Sequence, residues 1–101
     1  MEILAEVQGR RALLRLAGRF DVHSSVQFRG AYRPLLRDGG VESVALDFAG
    51  VPYMDSAGLG MLLLLREQAT AAGKNVVLTH CGPELKRLLS LAHFESIFRI
   101  E

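Results

Sequence analysis

The sequence predicts an α/β fold: a mixed sheet of four to five strands with helices packed on it, in the order ββαβαβαβ. Three observations lead there. Short, almost wholly apolar runs alternate with stretches of helical length from residue 24 onward, as strands of a parallel sheet alternate with crossover helices. Glycine, proline and serine stand at the joints between them. The chain has 101 residues, half of them apolar, which suffices for one core, so residues 1–101 are expected to form a single domain.

Ile3–Val7 and Ala12–Ala17 are two apolar segments separated by Gln8-Gly9-Arg10-Arg11, a hairpin turn. Gly18-Arg19-Phe20-Asp21 ends the second strand. Ser24 and Gln27 then stand at capping-box spacing, which predicts a helix running to about Asp38 and closed by Gly39-Gly40. Pro34 lies inside it and predicts a kink or split near the third turn. Ser43–Phe48 is short and nearly all apolar, the pattern of a strand buried on both faces between layers of helices. A second helix is expected over Ala57–Ala72, stopped by Gly73, followed by a buried strand over Lys74–Thr79. Gly82-Pro83-Glu84 opens a third helix with the inner stripe Leu85, Leu88, Leu89 and Ala92, and Ile97–Ile100 is a last short strand. Each β-α-β step is expected to be a right-handed parallel crossover.

Composition narrows the function. Twelve basic and 11 acidic residues give a net charge of +1, which offers no electrostatic reason to expect nucleic acid or an anionic membrane as partner. Cys81 is the one cysteine, so no internal disulfide forms, and a free thiol fits a reducing compartment. Met1-Glu2-Ile3-Leu4-Ala5-Glu6 lacks the basic and apolar regions of a secretory signal, and Leu59–Leu65 is far too short to span a bilayer. A cytoplasmic protein without membrane insertion is expected.

The most informative stretch runs from Leu46 to Gly60. An apolar strand enters a Gly/Pro loop that ends in Asp55-Ser56 at the start of a helix. Ser56 reads as the helix N-cap, and Asp55 and Asp21 as turn or capping residues. Both aspartates follow strands of a parallel sheet, whose C-terminal ends share one rim where ligands bind, so they are expected to be neighbours. A phosphate on Ser56 would be tolerable at a helix N-terminus, where N–H groups are unpaired and the dipole favours negative charge. The equipment of an enzyme is missing. Ser56 is not framed as Gly-x-Ser-x-Gly, and His23, His80 and His93 have no triad or metal spacing. Gly58-Leu59-Gly60 lacks the third glycine of a dinucleotide fingerprint, since residue 63 is Leu. No cofactor and no metal is expected. Leu59 and Met61 to Leu65 surround the second helix with apolar side chains, which either the domain's own helices or a docking partner must cover. Gly58 and Gly60 suggest close backbone approach, by a partner or by the domain's own loop. Arg29, Arg33 and Arg37 share one helix face, either solvated or turned to an acidic partner.

These residues resemble the STAS domains, specifically the bacterial anti-sigma-factor antagonists. Gly18-Arg19-Phe20-Asp21 is similar to that family's Gly-x-hydrophobic-Asp turn, Leu46-Asp47-Phe48 to its central strand, and Val51 to Gly60 to its signature loop and helix start. The element order fits the STAS fold over essentially the whole chain. The resemblance implies a regulator of transcription rather than an enzyme. Ser56 would be phosphorylated by a serine kinase that doubles as the anti-sigma factor. The unmodified domain would bind that kinase and free the sigma factor; the phosphorylated domain would let go, and a PP2C-type phosphatase would reset it. Asp21 and Asp55 match acidic positions flanking the phosphorylated serine, and Asp21, Asp55, Ser56, Gly58, Leu59 and Met61 are the expected partner contacts. The alternative is a STAS subunit of an ABC lipid transporter or a stressosome-type complex, docking without a phospho-switch. A small hydrolase using Ser56 is the reading from another class.

Overall fold

The computed structural model describes residues 1–101. β1 (Glu2–Gln8) and β2 (Arg11–Ala17) form an antiparallel hairpin, with Gly9 at φ +60° leading the two-residue turn. β3 (Ser43–Gly50), β4 (Asn75–Thr79) and β5 (Arg99–Ile100) then join in parallel, and the sheet order is β1-β2-β3-β4-β5. The crossovers are α1 (Ser25–Arg37), α2 (Ser56–Ala71) and α3 (Pro83–Leu91). Single 3-10 turns at Val22–Ser24 and Phe94–Ser96 precede α1 and β5. The expected element order is observed; β5 is shorter than expected, because residues 94–96 coil to tuck Phe94 and Phe98 into the core.

Strands laid down in one direction with right-handed crossovers put every helix on the same side of the sheet. The core accordingly is one cluster. Ala12, Leu14 and Leu16 of β2, Val44, Leu46 and Phe48 of β3, and Leu78 of β4 meet Phe28, Tyr32 and Leu35 of α1, Leu62 and Leu65 of α2, and Leu85 and Leu89 of α3. The expectation that β3 and β4 are covered on both faces is therefore corrected. Their alternate residues, in register as Leu13-Ala45-Val77 and Arg15-Asp47-Thr79, lie on a face that carries no helix. Ala45 is buried there because it is small and sits between Leu13 and Val77. Arg15–Glu6 (3.6 Å), Arg11–Glu101 (3.6 Å) and Arg99–Glu101 (3.1 Å) dress the open face with exposed ion pairs, each contributing little to stability.

Two further expectations change at α1. Ser24 makes no capping bond; it is buried, its backbone is already helical, and its hydroxyl donates to the Arg19 carbonyl at 2.9 Å. The capping box with Gln27 does not form. α1 also runs unbroken through Pro34. Proline's missing bond would join it to Gly30, and both residues are exposed, so the freed Gly30 carbonyl is open to solvent.

Tyr32 is fully buried, stacked edge-on against Phe28 at 5.1 Å, and its hydroxyl has no hydrogen-bond partner. Burial pushes its phenol up from the ordinary 10.0, against a smaller opposing pull from Arg33 and Arg29. An unpaired buried hydroxyl costs about 1–3 kcal/mol. Tyr32→Phe should therefore stabilise the fold by about 1 kcal/mol, read as a melting temperature about 4–8 °C higher. The pH dependence has a definite sign. A phenol raised in the folded state supports the fold at pH values below 10.0 and loses that support as pH rises through its raised pKa. Melting curves of the wild type should fall off at alkaline pH, and those of Tyr32→Phe should fall off less.

Candidate functional site

β2 and β3 stay paired beyond their ends. The Gly18 amide donates to the Gly50 carbonyl at 2.9 Å, the Phe20 amide to the Tyr53 carbonyl at 3.0 Å, and Phe20 and Met54 form an isolated parallel bridge. The next residue on each strand is an aspartate, so Asp21 and Asp55 leave the same rim side by side, as the parallel topology predicts. Both have extended backbones, with φ −133° and ψ −172° at Asp21 and φ −113° and ψ −172° at Asp55. Each caps the helical turn that follows. Asp21 Oδ1 accepts from the His23 amide at 3.0 Å, and Asp55 Oδ1 from the Gly58 amide at 3.1 Å.

Asp55, not Ser56, is thus the N-cap of α2, which starts one residue earlier than expected. The extended backbone at Asp55 aims its carboxylate at the third amide of the helix, and a negative group is favoured over a hydroxyl at that pole. Ser56 becomes the first helical residue, exposed, with its hydroxyl free of structural duty.

Gly58 owes its identity to the domain's own loop. A Cβ there would lie 2.6 Å from Met54 Cγ, 2.7 Å from the Phe20 carbonyl oxygen and 2.8 Å from Phe20 Cδ2. Buried in this junction, Gly58 faces inward rather than toward a partner. At Gly60 a Cβ would meet nothing within 4 Å. Leu62 and Leu65 are core, Leu59 and Met61 are half-buried against it, and Leu63 and Leu64 are 43% and 38% exposed. Ser56, Gly60, Leu63 and Glu67 follow helical spacing along one exposed stripe of α2.

Two residues of the rim escaped sequence reasoning. The Arg19 guanidinium lies 4.3 Å from the centre of the Tyr53 ring, and its Nε is 3.4 Å from Asp21 Oδ2. This clasp ties the β2–α1 loop to the β3–α2 loop and sets one positive charge beside the Asp21 carboxylate. The signal available was that both residues immediately precede the paired positions Phe20 and Met54. Away from the rim, none of Arg29, Arg33 and Arg37 has a carboxylate within ion-pair distance. Cys81 is buried, and desolvation raises its thiol pKa, so it stays protonated.

Residues 3–99 match the family profile described as Mlab, STAS domain. A STAS-domain containing protein of Pseudomonas aeruginosa is 33% identical over 97 residues, covering 96% of this chain and 94% of that protein. An anti-sigma F factor antagonist of Lysinibacillus sphaericus is 30% identical over 90 residues, covering 88% and 76%. The unphosphorylated form of the anti-sigma factor antagonist SpoIIAA has the same fold, with a TM-score of 0.75 at 21% identity over 99% of this chain and 87% of that one; its phosphorylated form has also been solved. The chain belongs to the STAS domain family.

The junction makes opposite demands on two neighbouring glycines. Gly58→Ala must displace Met54 or the Phe20 backbone and should destabilise by about 1–3 kcal/mol or more. Gly60→Ala meets open space in a helix interior and should stabilise by up to about 1 kcal/mol. Chemical denaturation separates the two. The same measurement checks the cap: Asp55→Ala should cost about 0.5–2 kcal/mol, whereas Ser56→Ala should stay within about 0.5 kcal/mol of wild type.

Proposed function

We propose that this chain is an anti-sigma-factor antagonist working as a phosphorylation-controlled switch. With Ser56 unmodified, the rim and the exposed stripe of α2 bind an anti-sigma factor that carries serine kinase activity, and the sigma factor is released. Phosphorylation of Ser56 by that kinase ends the interaction, and a PP2C-type phosphatase restores it. The domain is a substrate and binding partner in the cytoplasm, not an enzyme, and it acts without cofactor or nucleic-acid contact.

The observation that carries this reading is the placement of Ser56. Its hydroxyl is exposed at the first position of a helix, beside Asp21 and Asp55, with Leu63 about two turns further along the same face. A phosphate adds about −1.5 to −2 charges. In the free domain the unpaired amides of the helix terminus and the nearby Arg19 offset that charge. In a partner's interface the same charge sits beside two carboxylates on the helix face that carries Leu63, where desolvation makes it costly. The relatives named as anti-sigma factor antagonists support the choice of partner.

The second reading is a STAS subunit that docks constitutively in a larger assembly, for which the matching profile's description, Mlab rather than anti-sigma factor antagonist, speaks. It uses the same surface and leaves Ser56 unmodified. A phosphate-affinity gel of the protein from its own cells distinguishes the two: a retarded band that Ser56→Ala abolishes supports the switch.

Calorimetric titration against a serine-kinase anti-sigma factor of the same organism tests the surface. Ser56→Ala should bind as wild type does. Ser56→Asp should bind several-fold more weakly, since it supplies one charge where phosphate supplies nearly two. Leu63→Glu should lose at least about tenfold, or about 1.4 kcal/mol. Leu63 is the right probe because Leu59 packs against the core, so a charge at Leu59 would perturb the fold itself. Full-strength binding by both Ser56→Asp and Leu63→Glu would place docking elsewhere.

A further inference from the structure

The outer edge of β1 is unprotected. β1 pairs with β2 without a bulge from Glu2↔Ala17 to Gln8↔Arg11, and its other edge faces no strand. It contains no proline and no lysine, none of its residues is buried, and Leu4 and Val7 are 55% and 50% exposed. A regular edge of this length is a template for strand addition, and of the usual blocking devices it carries only the charges of Glu2 and Glu6, the second already paired with Arg15 at 3.6 Å.

The backbone directions along it follow from the hairpin. Gly18 and Phe20 donate toward β3, so the even-numbered residues of β2 face β3 and the odd-numbered ones face β1. Arg11, Leu13, Arg15 and Ala17 therefore bond Gln8, Glu6, Leu4 and Glu2, and the closing pair Gln8–Arg11 of a two-residue turn is a bonded one. The amides and carbonyls of Ile3, Ala5 and Val7 point away from the sheet.

We propose that this edge pairs with β1 of a second copy of the chain, antiparallel about a two-fold axis through Ala5, joining two five-stranded sheets into one. Charge and the length of strand paired select the register, since axes through Ile3 or Val7 leave part of β1 without a partner. An axis through Glu6 sets Glu6 opposite its own copy, and an axis through Leu4 sets Glu2 opposite Glu6; like charges directly opposite are unfavourable. An axis through Ala5 sets Ile3 opposite Val7, Leu4 opposite Glu6 and Glu2 opposite Gln8. Every outward amide and carbonyl of Ile3, Ala5 and Val7 then finds a partner, and the exposed side chains of Leu4 and Val7 gain neighbours. The edge is lateral, whereas Asp21, Asp55 and Ser56 stand at the strand ends, so dimerisation leaves both rims open. The inference is independent of the proposed switch. Strand pairing alone makes a small interface, so the dimer is concentration-dependent.

Sedimentation equilibrium of the purified chain over roughly two orders of magnitude in concentration tests it. The weight-average mass should climb from the monomer's 11.1 kDa toward twice that value. Ala5→Pro gives up an amide that the hairpin does not use but the dimer needs, and should raise the dissociation constant at least about tenfold. Ala5→Lys and Ala5→Glu each set like charges together on the axis and should be monomeric alone, while their equimolar mixture should associate again. Circular dichroism melts check that each variant is folded, and the charge pair decides the matter should proline disturb the hairpin. A wild-type mass that stays at the monomer value overturns the proposal. So does a dimer that survives the Ala5 variants, or a failure of the mixture to re-associate.

Discussion

The close approach of α2 to the end of β2 is the contact on which the rest of the rim depends. Gly58 lets the first turn of the helix lie against the Phe20 carbonyl and the Met54 side chain, closer than any Cβ allows. Phe20 and Met54 are themselves a strand pair, so the helix is docked onto the last rung of the sheet. The Phe20 ring then meets Phe28 of α1 edge-on at 5.0 Å and Phe48 of β3 at 5.7 Å. One aromatic side chain thus couples both loops, two helices and the central strand. Asp21, Asp55 and Ser56 need no mobile loop to bring them together; the rung places the aspartates, and the cap at Asp55 places the serine.

Much of this was legible in the sequence because the signals were local. Gly82-Pro83 opens α3 and Gly9 leads the hairpin turn, and these residues act through their own backbone. The Asp-Ser step at a helix start was equally plain. Which of the two residues caps was not, since Asp and Ser are both good caps and the backbone angle at residue 55 decides. Ser24 failed as a cap for the same reason: the 3-10 turn made its backbone helical, and its hydroxyl went to Arg19. The phase of α2 could not be read at all. An unbroken run from Met61 to Leu65 has no periodicity, so only the sheet determines that Leu62 and Leu65 turn inward and Leu63 outward. The open face was misread because Val, Ala and Leu make a strand look buried on both sides, whereas the connection rule leaves one side of this sheet bare.

A switch built on charge must tolerate the charge in one state and not in the other, and under the proposed function this rim would do so through solvent rather than rearrangement. Two unit charges about 4 Å apart interact by about 1 kcal/mol in bulk water and about 4 kcal/mol at the effective dielectric near a protein surface. The free rim, with Ser56 exposed and the Asp55 carboxylate tied to the Gly58 amide, lies between these two values. An interface laid over Ser56 and Leu63 excludes water and moves the site toward the second. The offsetting terms do not scale in the same way. The helix terminus contributes about 0.3–1 kcal/mol where it is exposed, and Arg19 is already shared between the Tyr53 ring and Asp21. Repulsion between a phosphate and the two aspartates therefore grows on docking faster than the attraction that made it tolerable beforehand. The carboxylates that cap the helices for stability are, by position, the groups that would convert a single phosphorylation into dissociation, with the fold itself unchanged.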